Sequence, residues 1–158
     1  MGTATVLSLA FAIGLITGLR SLTAPAVVSW AAHWNWLHVK GTPMSFMAAT
    51  ATPYILTVIA IGELVTDKLP NTPSRTAALG LSGRLLLGGL SGATLAAAGG
   101  QSLVLGAVLG AVGGLLGAFA GYKARTGLVK ALKVPDIVIA LLEDAVAIGG
   151  AFLIVSRF

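Results

Sequence analysis

Five long apolar runs occupy most of this 158-residue chain. A helix needs about 20 mainly apolar residues to cross the hydrocarbon core of a membrane, and each run has roughly that length. Little sequence remains between the runs, so the chain is predicted to be a single all-α membrane domain over residues 1–158. The runs, and therefore about five predicted transmembrane helices, cover roughly residues 3–22, 46–67, 78–98, 102–122 and 136–156.

The composition fits this class of protein. Apolar residues make up 56% of the chain and charged residues 9%, and the mean hydropathy is +0.95. Soluble globular domains have about 25% charged residues. The basic residues are spread between the apolar runs rather than gathered on one face, so nucleic acid is not an expected partner. Membrane lipid is the expected partner.

Basic residues also predict the orientation, because the cytoplasmic side of a membrane protein carries an excess of Lys and Arg. With five spans, one side holds seven of them and the other side three. The seven are Lys68, Arg75, Arg84, Lys123, Arg125, Lys130 and Lys133, and the three are Arg20, Lys40 and Arg157. The count predicts a multi-pass protein with a cytoplasmic amino terminus.

Residues 23–40 are too apolar for an ordinary loop and contain all three tryptophans. Indole rings favour the headgroup level of a membrane, so the segment is predicted to be amphipathic at the interface or re-entrant. A sixth span is the alternative, and it would change the charge count. His33 and His38 are five residues apart with no carboxylate nearby. No metal site and no cofactor are therefore predicted.

Glycines recur at helical spacing on the first, third and fourth runs. Such faces let helix backbones approach closely in lipid. The pattern predicts a tight bundle or a homo-oligomer, either a dimer or a trimer. The glycines assigned to helix packing are Gly14, Gly18, Gly88, Gly92, Gly106, Gly110, Gly114, Gly117 and Gly121.

The two ends of the chain match each other weakly. The matching segments are residues 14–23 with 117–126, and residues 59–63 with 139–143. The predicted half-repeats cover residues 3–70 and 102–156, with a linking helix over residues 78–98. Because one odd span separates the halves, they would enter the membrane from opposite sides. This arrangement is the inverted repeat of many transporters.

Acidic residues inside two apolar runs are the strongest functional signal. An ionisable side chain at membrane depth costs about 2.5 to 3.5 kcal/mol on insertion scales, so it usually faces a partner, water or a substrate path. Arg84 is expected to pair with Glu63 or Asp67. Arg20, Lys123 and Arg125 are the candidate partners of Glu143 and Asp144. For Lys123, Arg125, Lys130 and Lys133, however, anchoring at the cytoplasmic interface is the preferred interpretation, because positive flanks need no other cause. The predicted site residues are Arg20, Glu63, Asp67, Arg84, Glu143 and Asp144.

Three segments resemble the signature segments of a bacterial family of small integral-membrane proteins, which is catalogued only as a domain of unknown function. They are residues 18–25, 63–76 and 135–144. The resemblance covers nearly the whole chain and implies a polytopic protein of the bacterial inner membrane. It implies no activity.

Within the second segment, residues 67–76 predict a rigid hinge, or a site for a lipid phosphate.

Two classes of function remain. The first is a channel or secondary transporter for a small ion or solute, and the second is a membrane scaffold or lipid-binding protein with structural ion pairs. An enzyme is not expected, because no nucleophile and base stand at a sensible spacing. Acids that converge on a water-accessible cavity would favour transport, whereas acids sealed against Arg20 or Arg84 would favour a clamp. The substrate and the coupling ion stay open.

Overall fold

The computed structural model describes residues 1–68 and 77–158, and this part of the chain is helical without strands. The predicted all-α fold is thereby confirmed. The proline-containing part of the predicted hinge, residues 69–76, lies outside the described residues. The helices are α1 (Thr3–Leu19), α2 (Thr23–His33), α3 (Ala51–Thr66), α4 (Ala78–Ala98), α5 (Leu103–Leu132) and α6 (Asp136–Val155), with a short 3₁₀ helix at Pro43–Ala48.

Three helices of the described chain, α4, α5 and α6, are long and apolar enough to cross a membrane. Helices α1 and α3 are apolar but shorter, with 17 and 16 residues. The fold is that of a membrane protein by these criteria, while the expected number of about five spans is not confirmed. At 1.5 Å per residue, α5 is about 45 Å long, which exceeds the hydrocarbon thickness of about 30 Å.

Helices α1, α4 and α5 pack backbone to backbone through their glycines. A Cβ added to Gly14 would lie 2.2 Å from the Gly110 carbonyl oxygen, and one added to Gly110 would lie 2.1 Å from the Gly88 carbonyl oxygen. Gly18 meets α5 in the same way, and Gly92 lies against Gly106. The predicted tight bundle is confirmed. Because these faces are occupied within the chain, a homo-oligomer would need another surface, and it stays a prediction.

The glycine contacts also define the helix directions. Gly14 lies level with Gly110 and Gly18 with Gly114, so α1 and α5 run parallel. In an inverted repeat these two helices would correspond to each other and would have to run antiparallel. The inverted repeat is therefore not confirmed.

Helix α2 explains why α1 and α5 run parallel rather than antiparallel. Three residues separate its first residue from the last residue of α1, and nine of its eleven residues are buried. Leu22 is hydrogen-bonded to Glu63 and Trp30 to Thr57, so α2 packs antiparallel to α3. Residues 23–33 thus form a short helix buried in the bundle rather than an amphipathic helix on its surface, and of the three tryptophans only Trp34 and Trp36, which follow it, are exposed.

The bundle has two distinct ends. At the aromatic end, which contains residues 34–50, a Cβ added to Gly99 would come within 2.6 Å of Val6. Val155, at the close of α6, belongs to the same apolar cluster as Leu37 and Ala97. The start of α1 and the end of α6 therefore share this end of the bundle. The five-span count placed the amino terminus opposite residues 23–40, which is wrong because α2 adds a sixth segment.

Candidate functional site

All five acidic residues of the chain form ion pairs at the other end of the bundle, the charged end. They come from α3 and the residue after it and from α6, and they meet bases from four different parts of the chain. The nine side chains, which we call the charged cluster, are Arg20, Glu63, Asp67, Lys68, Arg84, Arg125, Asp136, Glu143 and Asp144.

Arg20 lies at the centre of the charged cluster and is 0% exposed. It follows the last residue of α1 in an extended conformation. Its Nη1 contacts Asp67, and its Nη2 lies 2.6 Å from Asp144 Oδ1 and 3.9 Å from Glu143 Oε2. The predicted pairing of Arg20 with the second acidic pair is confirmed. Its predicted position on the side opposite Arg84 is wrong, because the chain turns back directly after Arg20.

Glu63 holds the link between α1 and α2. The backbone N–H and the hydroxyl of Ser21 donate to Glu63 Oε1 at 2.8 and 2.5 Å, and the Leu22 N–H donates to Oε2 at 2.8 Å. A carboxylate at this position satisfies N–H groups that have no partner within a helix, and it complements the positive end of the α2 dipole.

Arg84 closes the same link from α4. Its Nη2 lies 3.9 Å from Glu63 Oε1, so the predicted pair of these two residues is confirmed. Its Nε donates to the Gly18 carbonyl oxygen at 3.0 Å, near the end of α1. This carbonyl is one that α1 leaves without an intrahelical partner. The guanidinium thereby connects three helices.

Asp144 bridges two cations. Lys68 Nζ donates to Asp144 Oδ2 at 2.7 Å and to the Leu64 carbonyl oxygen at 2.7 Å, while Arg20 stands at the other carboxylate oxygen. In the sequence, Lys68 contributed only to the count of basic residues that predicts the orientation. The signal that could have placed it in the site is its position one residue after Asp67, at the end of an acid-bearing helix.

Arg125 reaches the cluster from α5. Its Nε and Nη2 donate to both carboxylate oxygens of Asp136 at 2.8 and 2.5 Å, and its Nη1 lies 3.5 Å from Glu143 Oε2. Arg125 thus pairs with Glu143, which was the alternative, and the preferred interpretation of Arg125 as a helix anchor alone is wrong. Lys123, the other α5 candidate, is exposed. Asp136 joins the cluster at its outer rim, where its side chain is 59% exposed.

Four buried polar atoms near Arg20 have no hydrogen-bond partner within the described part of the chain. They are Arg20 Nε, Arg20 Nη2, Thr23 Oγ1 and Asp144 Oδ1. The ion contact between Arg20 Nη2 and Asp144 Oδ1 is short, but its angles fall outside hydrogen-bond geometry. Buried polar atoms in folded proteins are nearly always hydrogen-bonded. These atoms therefore mark a point of incomplete polar packing.

A cavity of about 190 Å³ lies between α5 and α6 beside the end of α1. Its walls are apolar except where Arg125 and Glu143 reach it. It lies where α5 continues past Leu19, at the level of Gly121 and Ala124.

Within residues 1–68 and 77–158, no group of three or more His, Asp and Glu side chains is placed to hold a metal ion. Comparisons with protein-family models, curated proteins and solved structures gave no match. The resemblance to an uncharacterised bacterial family therefore stays a prediction. The chemistry of the charged cluster has to be argued from its own residues.

Proposed function

We propose that the protein is a multi-pass protein of the bacterial inner membrane that acts as a channel or secondary transporter for a small ion or solute. The supporting observation is that acids of α3 and α6 converge on the fully buried Arg20 at the link between α1 and α2. In many transporters, interrupted helices with charged groups beside the interruption form the substrate site.

The distribution of contacts supports movement at this site. The glycine contacts join α1, α4 and α5 through their backbones. Ion pairs of the charged cluster join α6 and the end of α3 to Arg20. Backbone contacts between glycines have no room to rearrange, whereas ion pairs can exchange partners. The charged cluster is thus suited to act as a closed gate between a rigid unit and a mobile one.

A membrane scaffold or lipid-binding protein is the second candidate. It is favoured by the sealing of the acids against Arg20 and Arg84, which is the arrangement expected of a clamp. Glu63 also accepts three hydrogen bonds, and Asp144 stands between two cations. In that case the cluster would be a clamp that determines which helices pack together. The two candidates predict different results when an acid is neutralised. A transporter should lose flux, whereas a scaffold should mainly lose stability.

Glu143→Gln is expected to reduce solute flux at least tenfold in proteoliposomes while the protein still folds. Its described ion contacts, at 3.5 and 3.9 Å, are longer than those of Asp144 with Arg20 and Lys68, at 2.6 and 2.7 Å, so the neutral variant should lose less stability than Asp144→Asn. A panel of small ions and solutes is measured with wild type, this variant and Lys40→Gln, an exposed change at the aromatic end that should leave flux unchanged. Wild type that moves no member of the panel, or Glu143→Gln with full flux, would exclude transport by this cluster.

We propose further that the charged end faces the cytoplasm, because it carries the excess of Lys and Arg. Both the start of α1 and the end of α6 would then be external, which reverses the predicted cytoplasmic amino terminus. The chain has no cysteine, so single cysteines can report this directly. Thr3→Cys and Ser156→Cys should react with an impermeant maleimide in intact spheroplasts, and Lys130→Cys only after lysis.

Labelling of Lys130→Cys alone in intact spheroplasts would contradict this orientation. Labelling of Thr3→Cys and Ser156→Cys from different sides would contradict the six-segment arrangement itself. A maleimide that crosses the membrane should label all three variants and serves as the control for reactivity.

A further inference from the structure

We propose that the substrate is a small anion, which takes the place of the Asp144 carboxylate between Arg20 and Lys68 when Asp144 binds a proton. This inference rests on the proposed transport function and names the class of its substrate. In this inference an anion can replace the Asp144 carboxylate, whereas the Glu63 carboxylate stays in place.

The position of Asp144 is one that an anion can occupy. Its two oxygens lie 2.6 Å from Arg20 Nη2 and 2.7 Å from Lys68 Nζ, which belong to different elements of the chain. The Asp144 side chain is 10% exposed, so the carboxylate is nearly withdrawn from water. Arginine and lysine together form the usual protein site for a small anion, and their attraction is stronger where water is excluded.

Within the described residues, buried donors without a hydrogen-bond partner lie on Arg20 and on Thr23, at the start of α2. Of the four buried atoms without a hydrogen-bond partner in the described chain, Arg20 Nε and Nη2 are obligatory donors, and the Thr23 hydroxyl can donate. Arg20 is 0% and Thr23 5% exposed, so water at the surface does not satisfy them. A buried donor without an acceptor is costly, and a bound anion would supply the missing acceptor.

Asp144 is the carboxylate that can leave. Glu63 accepts backbone N–H groups of Ser21 and Leu22, which cannot turn away without undoing the start of α2. Asp144 is held by the side chains of Arg20 and Lys68, which can change rotamers. The start of α2 therefore keeps its own carboxylate, while the adjacent pair of cations can change partners.

A proton on Asp144 would remove one of the carboxylates that contact the buried Arg20 and the carboxylate that contacts the partly buried Lys68. The charged groups that face it are Arg20 after α1, Lys68 after α3 and Glu143 on its own helix, with Asp67 across Arg20 and Arg125 of α5 beyond Glu143. A buried cation that loses one of its counter-ions is destabilised. An anion that enters with the proton restores the charge balance, so the two are expected to move together.

Asp144→Asn imitates the protonated state and gives a direct test in detergent. In sodium gluconate, whose anion is too bulky for a buried site, the variant should unfold at a lower temperature than wild type. Sodium chloride or sodium nitrate at equal ionic strength should recover at least half of that loss, because a ligand that binds the folded state stabilises it. Asp136→Asn, at the exposed rim, is the matched control and should show no recovery specific to the anion.

Equal melting temperatures of Asp144→Asn in gluconate, chloride and nitrate would overturn the inference, as would equal recovery by Asp136→Asn. If Asp144→Asn does not fold, wild type provides the second measurement. The stabilisation by chloride or nitrate over gluconate should grow as the pH is lowered, and Thr23→Val should reduce it. A stabilisation independent of pH and of Thr23 would likewise overturn the inference.

Flux separates this inference from the proposed function. Proteoliposomes with wild type should take up labelled chloride or nitrate when the lumen is more alkaline than the medium, and Asp144→Asn should lose the dependence on the pH gradient. Transport of a cation or a neutral solute without any anion would exclude an anionic substrate but leave transport intact. Anion-dependent stability without flux of any solute would exclude transport but leave the anion site intact.

Discussion

Gly110→Ala is expected to destabilise the protein by about 3 kcal/mol, the upper part of the range for overpacked cores, or to prevent folding. The new Cβ would lie 2.1 Å from the Gly88 carbonyl oxygen on α4, and Gly14 of α1 presses on the same residue from the other side. The obstructing atoms are backbone atoms of helices, so no side-chain rotation can relieve the contact. The change is measured as the shift of the unfolding midpoint in a denaturing detergent.

Gly127→Ala is the matched control on the same helix. No heavy atom lies within 4 Å of a Cβ added there. The change should be neutral or should stabilise the helix by about 0.5 to 1 kcal/mol, since alanine loses less backbone entropy than glycine. Equal effects of Gly110→Ala and Gly127→Ala would show that the glycine contacts do not determine the packing of α1, α4 and α5.

The glycine faces show what sequence periodicity can predict. Spacing of three and four residues identified the packing faces of α1, α4 and α5 correctly, because a shared helix face is a local property. Periodicity contains no information about the partner of each face. The sequence thus left a bundle and an oligomer equally open, and only the contacts between Gly14, Gly110 and Gly88 distinguish them.

Helix α2 shows where sequence reasoning failed. Its eleven residues are too few to span a membrane, and it is buried nearly all round, so neither length nor amphipathic pattern revealed it. Because the turn after Arg20 was not predicted, the segments after α1 were assigned the wrong direction relative to the amino terminus. The errors in the side assigned to Arg20 and in the direction of the repeat follow from that turn.

The charged cluster was predicted better than its topology. Burial of a charge at membrane depth demands a partner wherever the helices run, so the six predicted residues do meet at one end. Lys68, Arg125 and Asp136 were left out of the predicted site, because basic residues near the membrane surface are expected from the orientation and an acidic residue is expected at a helix start. Only the contacts with Asp144 and Glu143, and those between Arg125 and Asp136, show that these three belong to the cluster.

Arg20→Met is expected to lower the free energy of unfolding by about 3 to 5 kcal/mol, the usual effect of removing one partner from a buried ion pair. The variant fills the space of the arginine stem but leaves Asp67 and Asp144 close together with less positive charge. Asp67→Asn should cost less, because Arg20 keeps its contact with Asp144. Unfolding in a denaturing detergent measures both.

The double variant Arg20→Met/Asp67→Asn decides what the charges contribute. Removing both partners should cost less than the sum of the single changes, with a coupling energy of about 1 to 3 kcal/mol, as for residues in direct contact. Strict additivity would contradict a stabilising contact between these side chains. Because Asp144 and Glu143 also lose Arg20, the double variant should remain less stable than wild type. A double variant that folds but has lost flux would assign the charges of Arg20 and Asp67 to transport, and one that keeps flux would assign them to a structural clamp.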